Sequence, residues 1–184
     1  MRITGGSLRG RRLASPARGV RPTSDKVRQA LFNILAGRTS EARVLDLFAG
    51  SGAMGIEALS RGARCAVFVD ISKPALDTVR KNLARCGLAD RARVLAKPAA
   101  AAIAGLERLG ERFDLVIVDP PYHAGLMEGT LKALADSSIL ADGALVAAET
   151  WRHRPVETGP EGLVEVDRRR YGDTVIHLFR KTGP

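Results

Sequence analysis

Five short, mostly apolar runs mark the chain: ARVLDLFA (42–49), CAVFVD (65–70), ARVLA (92–96), FDLVIVD (113–119) and ALVAAET (144–150), with a helix-patterned segment between each consecutive pair. Strands apolar on both sides must be covered on both faces, and strands joined through helices run parallel. The expected fold is therefore α/β, a mostly parallel sheet with helices on both faces. An amphipathic helix precedes it: SDKVRQALFNILAG sets Val27, Ala30, Leu31, Ile34 and Leu35 on one face, with Thr23 or Ser24 as N-cap and Gly37 as a stop. The connecting helices fall at 53–61, from Lys73 to about Cys86, at 99–109 and near Met127 to Ala135. The second of these is capped by Ser72, ended by Gly87 and turns Leu76, Val79 and Leu83 inward. LVEVDRRRYGDTVIHLFRK (163–181) reads as two strands around a turn near Gly172, adding an antiparallel strand to the sheet.

A length of 184 residues with 45% hydrophobic content suits one domain with a real core. No apolar stretch reaches the roughly 18 residues that span a bilayer, and the basic start lacks the apolar middle of a secretion signal, so a soluble, cytoplasmic protein is expected. Cys65 and Cys86 are isolated and fit as small core residues rather than as a metal site or a disulfide.

The net charge of +9 is concentrated at one end. Residues 1 to 28 hold eight basic side chains and one acid, whereas the remaining 156 hold 21 basic and 19 acidic. Such polarity suits an arm that meets a polyanion, because neutralised phosphates release condensed counterions; a solvated basic tail is the plainer alternative. The arm, residues 1–22, could form a small hairpin on one edge of the domain at 23–184 or be disordered when free.

DLFAGSGAMG places Gly50, Gly52 and Gly55 in G-x-G-x-x-G spacing, directly after a strand and opening a helix, where glycine permits a sharp turn and close ligand approach. Asp70 ends the next strand twenty residues on, placed to accept hydrogen bonds from a ribose. Together these indicate an adenosine-type ligand. Asp46 would face the same crevice, an awkward neighbour for a pyrophosphate but a good one for a ligand bearing an ammonium and a sulfonium. It could equally serve to tie down the loop backbone.

The fourth run ends in Asp119, Pro120, Pro121 and Tyr122. Ligands of open α/β sheets sit outside the carboxyl ends of the strands at the switch point, which brings Asp119 to the glycine loop. An exocyclic amine on a nucleobase is a poor nucleophile because its lone pair is conjugated with the ring. A carboxylate at Asp119 and the carbonyl of Pro120 could accept its two N–H bonds, aim the lone pair at a methyl and favour the cationic transition state. Pro121 stiffens the turn, neither proline nitrogen offers a competing donor, and Tyr122 could stack on an extruded base. A plain turn is the alternative reading of the tetrapeptide.

RITGGSLRGRRLASPARGVRPTSDKVRQALFNIL, DLFAGSGAMGIEALSRGA, VDPPY and the late YGDT together resemble the bacterial small-subunit (16S) ribosomal RNA guanine-N2 methyltransferases, nearly end to end. The resemblance implies a Rossmann-like class I methyltransferase with a seven-stranded sheet, S-adenosylmethionine as cofactor and no metal. It further implies a monomer acting on 16S ribosomal RNA, within a small ribosomal subunit or its precursor. It assigns Asp46, Phe48, Gly50, Ser51, Gly52, Asp70, Ile71 and Ala99 to the cofactor and Asp119 to Tyr122 to the base. Arg9, Arg11, Arg12, Arg21, Thr23 and Arg28 fall to the RNA, with Arg21 and Thr23 near the cleft. One departure concerns adenine: after the third strand, Pro98 stands where many methyltransferases carry an acid or amide, so the Ala99 N–H and an apolar wall such as Ile71 must hold the ring.

His123 reads as an ordinary loop residue, since a methylated aminium sheds its proton without a dedicated base. Trp151 and His153 could edge an RNA site or simply pack, and DRRRY (167–171) could meet phosphate or be a solvated strand face. The competing functions are an adenine-N6 or DNA amino methyltransferase, a nicotinamide-dependent oxidoreductase on the same glycine loop, and a non-catalytic RNA-binding assembly protein.

Overall fold

In a computed structural model, residues 1–15, 24–121, 125–154, 156 and 158–182 are described. The strands are β1 (Arg43–Leu47), β2 (Cys65–Asp70), β3 (Ala92–Ala96), β4 (Phe113–Val118), β5 (Leu140–Trp151), β6 (Leu163–Tyr171) and β7 (Thr174–Lys181). The helices are α1 (Asp25–Ile34), α2 (Ala53–Ser60), α3 (Lys73–Cys86), α4 (Ala99–Arg108) and α5 (Leu126–Ala135). The strands form one seven-stranded sheet in the order β3-β2-β1-β4-β5-β7-β6. Strands β1 to β5 pair in parallel, and β7 runs antiparallel between β5 and β6. Order reverses between β1 and β4, which makes their carboxyl ends the switch point.

Apolar alternation divides the core in two. Val44, Phe68, Leu115, Ile117, Leu145 and Ile176 meet α1, α2 and α3 on one face. Leu45, Val67, Val116, Val118, Val146 and Phe179 meet α4 and α5 on the other. Central strands buried on both sides thus account for their continuous apolar runs. Ser24 caps α1 by accepting from Val27 N at 3.2 Å, and Ser72 caps α3 while Gly87 closes it in the left-handed conformation, as the sequence suggests. β5 starts earlier than expected, at Leu140 rather than Ala144. Asp142 and Gly143 look like a turn, yet the strand pairs Leu140 with Phe113 and absorbs them through a register shift before Leu115.

The first fifteen residues form the small hairpin that is one of the two expectations, seated on the helices rather than on an edge of the sheet. Arg2 and Arg12 form an antiparallel bridge, Ile3 N donates to Arg11 O, and Ile3 and Leu13 are buried in the same core as α1 to α3. The arm lies against the helices. Ser7 N donates to Ser60 O at 2.8 Å, and Ser60 Oγ donates to Gly5 O at 2.6 Å. A Cβ at Gly6 (φ 77°) would fall 1.9 Å from Ser60 O, so the Gly-Gly pair is what allows this approach. The boundary between residues 22 and 23 lies outside the described residues.

Beneath the arm sits a buried ionic hub. Glu57, on the otherwise apolar α2, accepts from Thr4 N (2.8 Å), Thr4 Oγ1 (2.7 Å) and Arg61 Nε (2.8 Å), and from Arg28 Nε at 3.3 Å. Arg28 also donates to Asp25 Oδ1 at 2.8 Å and to the carbonyl of Arg2. Arg28 is 0% exposed, which corrects its expected place on an RNA-facing surface: its guanidinium is spent inside the protein, joining α1 to α2 and the arm. Removing one member of a buried pair strands the other charge and costs about 3–5 kcal/mol. Arg28→Ala should therefore lower the thermal midpoint by roughly 6–15 °C at this chain length. Calorimetry on the purified variant checks this; a shift below about 2 °C would mean that the hub carries little stability.

Candidate active site

The loop between β1 and α2 is built from unusual backbone. Phe48 has φ 66°, Gly50 56° and Gly52 78°, and Gly52 is the N-cap of α2. Left-handed geometry is easy for glycine and costs a residue such as Phe48 about 1–3 kcal/mol, strain that persists where surroundings impose it. Gly55, the third of the spacing, serves packing: a Cβ there would meet the Phe68 ring at 2.4 Å. The glycine pattern thus combines turn, approach and helix-to-strand contact.

Two carboxylates fasten this loop. Asp46 Oδ2 accepts from Gly55 N and Asp70 Oδ2 from Gly50 N, both at 2.9 Å, while Asp70 Oδ1 accepts from Ser72 N at 2.8 Å. Of the two readings weighed for Asp46, the structure shows the one in which it ties down the loop backbone. Burial, at 2% exposure, pushes its carboxyl up to about 7; the Gly55 N–H pulls down, and the nearby charges of Asp119 and Asp70 push further up. Asp119 follows the last residue of β4 and, being one cause of that shift, stands electrostatically close to Asp46. Pro120 is buried and Pro121 exposed at the strand end. Carboxylates grouped at the carboxyl ends of β1, β2 and β4 disfavour a phosphate and favour a cationic ligand.

Around this centre, Ile71 is 75% exposed directly after Asp70, an apolar side chain open to a ligand. Pro98 is the N-cap of α4, and Ala99 opens that helix, where first-turn amides lack intrahelical acceptors. Ser51 is buried within the loop. Tyr122, His123, Arg21 and Thr23 lie outside the described residues. Arg9 and Arg12 are exposed on the arm. Arg11, also exposed, spends a donor on the Arg85 carbonyl at 2.7 Å, holding the arm to the end of α3. Trp151 is 37% exposed with the His153 ring edge-on at 4.5 Å. Arg168 and Arg169 pair with Glu165 and Asp167 of their own strand, as a solvated strand face would.

Sequence reading missed two residues. Glu57 interrupts a short apolar helix, and Asn82 falls inside the stripe of Leu76, Val79 and Leu83. A polar residue amid a buried stripe was the available signal in both cases. Among the described residues no group of three or more His, Cys, Asp or Glu is placed to hold a metal, and no helix is long and apolar enough to cross a membrane.

Residues 1–180 match the family described as Conserved hypothetical protein 95. The chain is 42% identical over 182 residues to ribosomal RNA small subunit methyltransferase D of Escherichia coli strain K12, covering 98% of this chain and 90% of that protein. A solved structure of the Escherichia coli protein yhhF, titled as a candidate methyltransferase, superposes with TM-score 0.89 at 35% identity, covering 100% and 99% of the two chains. A hypothetical protein of Thermus thermophilus superposes with TM-score 0.84 at 34% identity, covering 97% and 98%.

Asp46 has a consequence for stability. Its carboxyl ionises near 3.8 when unfolded and near 7 when folded, so between these pH values the folded chain holds a proton that the unfolded chain has released. Stability from this group therefore falls as pH rises through that window, the loss being complete above about 7. Asp46→Asn, which keeps an acceptor for Gly55 N, should raise the thermal midpoint by at least about 3 °C at pH 8. At pH 4.5 the gain should largely vanish. Melting curves at the two pH values test this, and a gain independent of pH would contradict it.

Proposed function

Because the chain belongs to the Conserved hypothetical protein 95 family, and to the same family as ribosomal RNA small subunit methyltransferase D, we propose that it methylates the N2 amine of a guanine in 16S ribosomal RNA. The methyl donor is S-adenosylmethionine. The substrate is a small ribosomal subunit or its precursor in the cytoplasm, and the enzyme works as a monomer. What supports this reading is the glycine loop at the switch point of the sheet, held by Asp46 and Asp70, with Asp119 at the end of β4 close enough to act on the Asp46 charge.

The residues fit the cofactor. Gly50 and Gly52 let its backbone-hugging portion approach, Asp70 accepts from ribose hydroxyls, Ile71 and the Ala99 N–H contact the adenine, and Asp46 faces the ammonium. Bound there, S-adenosylmethionine supplies a methyl on a sulfonium, whose positive charge the anionic crevice accommodates. The same crevice argues against a nicotinamide dinucleotide, whose pyrophosphate would meet buried negative charge.

Asp119 and the Pro120 carbonyl accept the two N–H bonds of the target amine. This orients the nitrogen lone pair and stabilises the positive charge that grows on nitrogen as the methyl arrives. Tyr122 stacks on the base once it leaves its helix. The aminium proton passes to water, with no dedicated base. Arg9, Arg12 and Arg21 of the arm, with Thr23 at the start of the domain, engage the RNA, and Arg11 contributes by fixing the arm on α3. The Asp-Pro-Pro-Tyr motif holds an amine without reading the ring, so the choice of guanine over adenine rests on the family.

Labelled S-adenosylmethionine incubated with small subunits lacking the modification should transfer label, and nuclease digestion with mass spectrometry should return N2-methylguanosine. Transfer to adenine, or none, would overturn the reading. Asp119→Ala should reduce turnover by at least about 100-fold, as expected for loss of a transition-state contact, with S-adenosylhomocysteine affinity changed less than about threefold. For the arm, Arg9→Glu with Arg12→Glu should weaken RNA binding and flatten the log–log salt slope by about 1 to 2, leaving cofactor affinity intact. An unchanged slope in a filter-binding titration would remove both arginines from the RNA surface.

A further inference from the structure

Asn82 lies at the centre of three hydrogen bonds that join distant parts of the chain. It is 0% exposed on the inner face of α3. Its Oδ1 accepts from Ala14 N at 2.8 Å, and its Nδ2 donates to Ala14 O at 3.2 Å and to Ser51 O at 2.9 Å. A side-chain amide is therefore matched to one backbone unit of the arm and, simultaneously, to the carbonyl of the residue between Gly50 and Gly52. A second contact reinforces the junction: Ser51 Oγ lies 3.8 Å from Met1 Sδ, and Met1 O accepts from Leu13 N at 3.2 Å. Ala14 stands two residues after Arg12, an exposed arm cation assigned above to RNA.

We propose that Asn82 is a positioning residue that couples the RNA-engaging arm to the cofactor loop, so that binding of ribosomal RNA tightens binding of the cofactor and the reverse. This rests on the function proposed above. The physical basis is geometric. Ser51 O and the Ala14 peptide share one buried amide that has no slack: its two donor hydrogens and its acceptor oxygen are all engaged, so displacing either backbone breaks hydrogen bonds of a fully buried side chain. RNA that engages Arg12, exposed two residues before Ala14, holds the amide in place, and the amide holds the loop between Gly50 and Gly52 in its left-handed geometry. Linkage makes the effect reciprocal. The apolar stripe of α3 tolerates a polar residue at this one position because all of its hydrogen-bonding groups are met.

Two substitutions cut the link at opposite ends. Asn82→Asp keeps an acceptor towards Ala14 N but replaces the donor to Ser51 O with an oxygen that repels it. Ala14→Pro removes the N–H donated to Asn82, the shorter of the two bonds between them, leaving the 3.2 Å bond to Ala14 O and the contact with Ser51. The measurement is the dissociation constant of labelled S-adenosylhomocysteine with and without saturating unmodified small subunits, with a melting curve for each variant as the folding control. In the unaltered protein, subunits should tighten binding by about fivefold or more, within the usual range of couplings between sites. In each folded variant the factor should fall to within about twofold of unity, and Ala14→Pro should keep near-normal affinity in the absence of RNA. An amide that merely supported the fold would lower the melting temperature and leave the coupling factor alone. Coupling that survives in Ala14→Pro, or that is absent from the unaltered protein while it transfers methyl normally, overturns the inference. Absence of methyl transfer to subunits by the unaltered protein overturns the function itself instead.

Discussion

The geometry of the site depends on two carboxylates gripping one loop. Asp46 holds the Gly55 amide and Asp70 the Gly50 amide, so the turn from β1 into α2 is pinned on both sides by side chains from adjacent parallel strands. Left-handed glycines make the turn possible, but the acids give it one shape. Burial, with Asp119 and Asp70 nearby, raises the Asp46 carboxyl to about 7, so its own negative charge develops as the pH passes that value. A site so arranged is complementary to a cation, and the same bonds that shape the loop set the electrostatics of what it can receive.

Much of this was legible in the sequence because it rests on local rules. Continuous apolar runs separated by helical stripes dictated a parallel sheet covered on both faces, and Ser24, Ser72 and Gly87 ended their helices for capping reasons that act within a few residues. The place of Asp119 at the end of the strand that adjoins β1 followed from strand order alone. What stayed hidden is non-local. Arg28 looked like one more cation of a basic arm; only tertiary packing brings it onto Glu57, twenty-nine residues away in sequence. Asn82 and Glu57 looked like ordinary polar residues on helices, since nothing nearby in the chain reveals that Ala14 and Thr4 supply their partners. The turn signal at Asp142 and Gly143 was overridden because pairing with β4 outweighs local preference.

The arm therefore has two characters. Its inward residues, Ile3 and Leu13 with the Glu57 hub beneath, behave as core, while Arg9 and Arg12 remain on the surface. A segment that is half core and half cationic surface is held rigidly where it meets solvent, which lowers the ordering cost of any polyanion it binds.

Docking of that arm also bears on how the chain is made. Its partners come late in the sequence: Thr4 waits for Glu57, Ala14 for Asn82 and Arg11 for the carbonyl of Arg85. During vectorial synthesis the first fifteen residues leave the exit tunnel long before α3 exists, and they stay unanchored for the time needed to add some seventy more. The arm can therefore dock only after α3 has emerged, so this half of the molecule is completed from the inside outward.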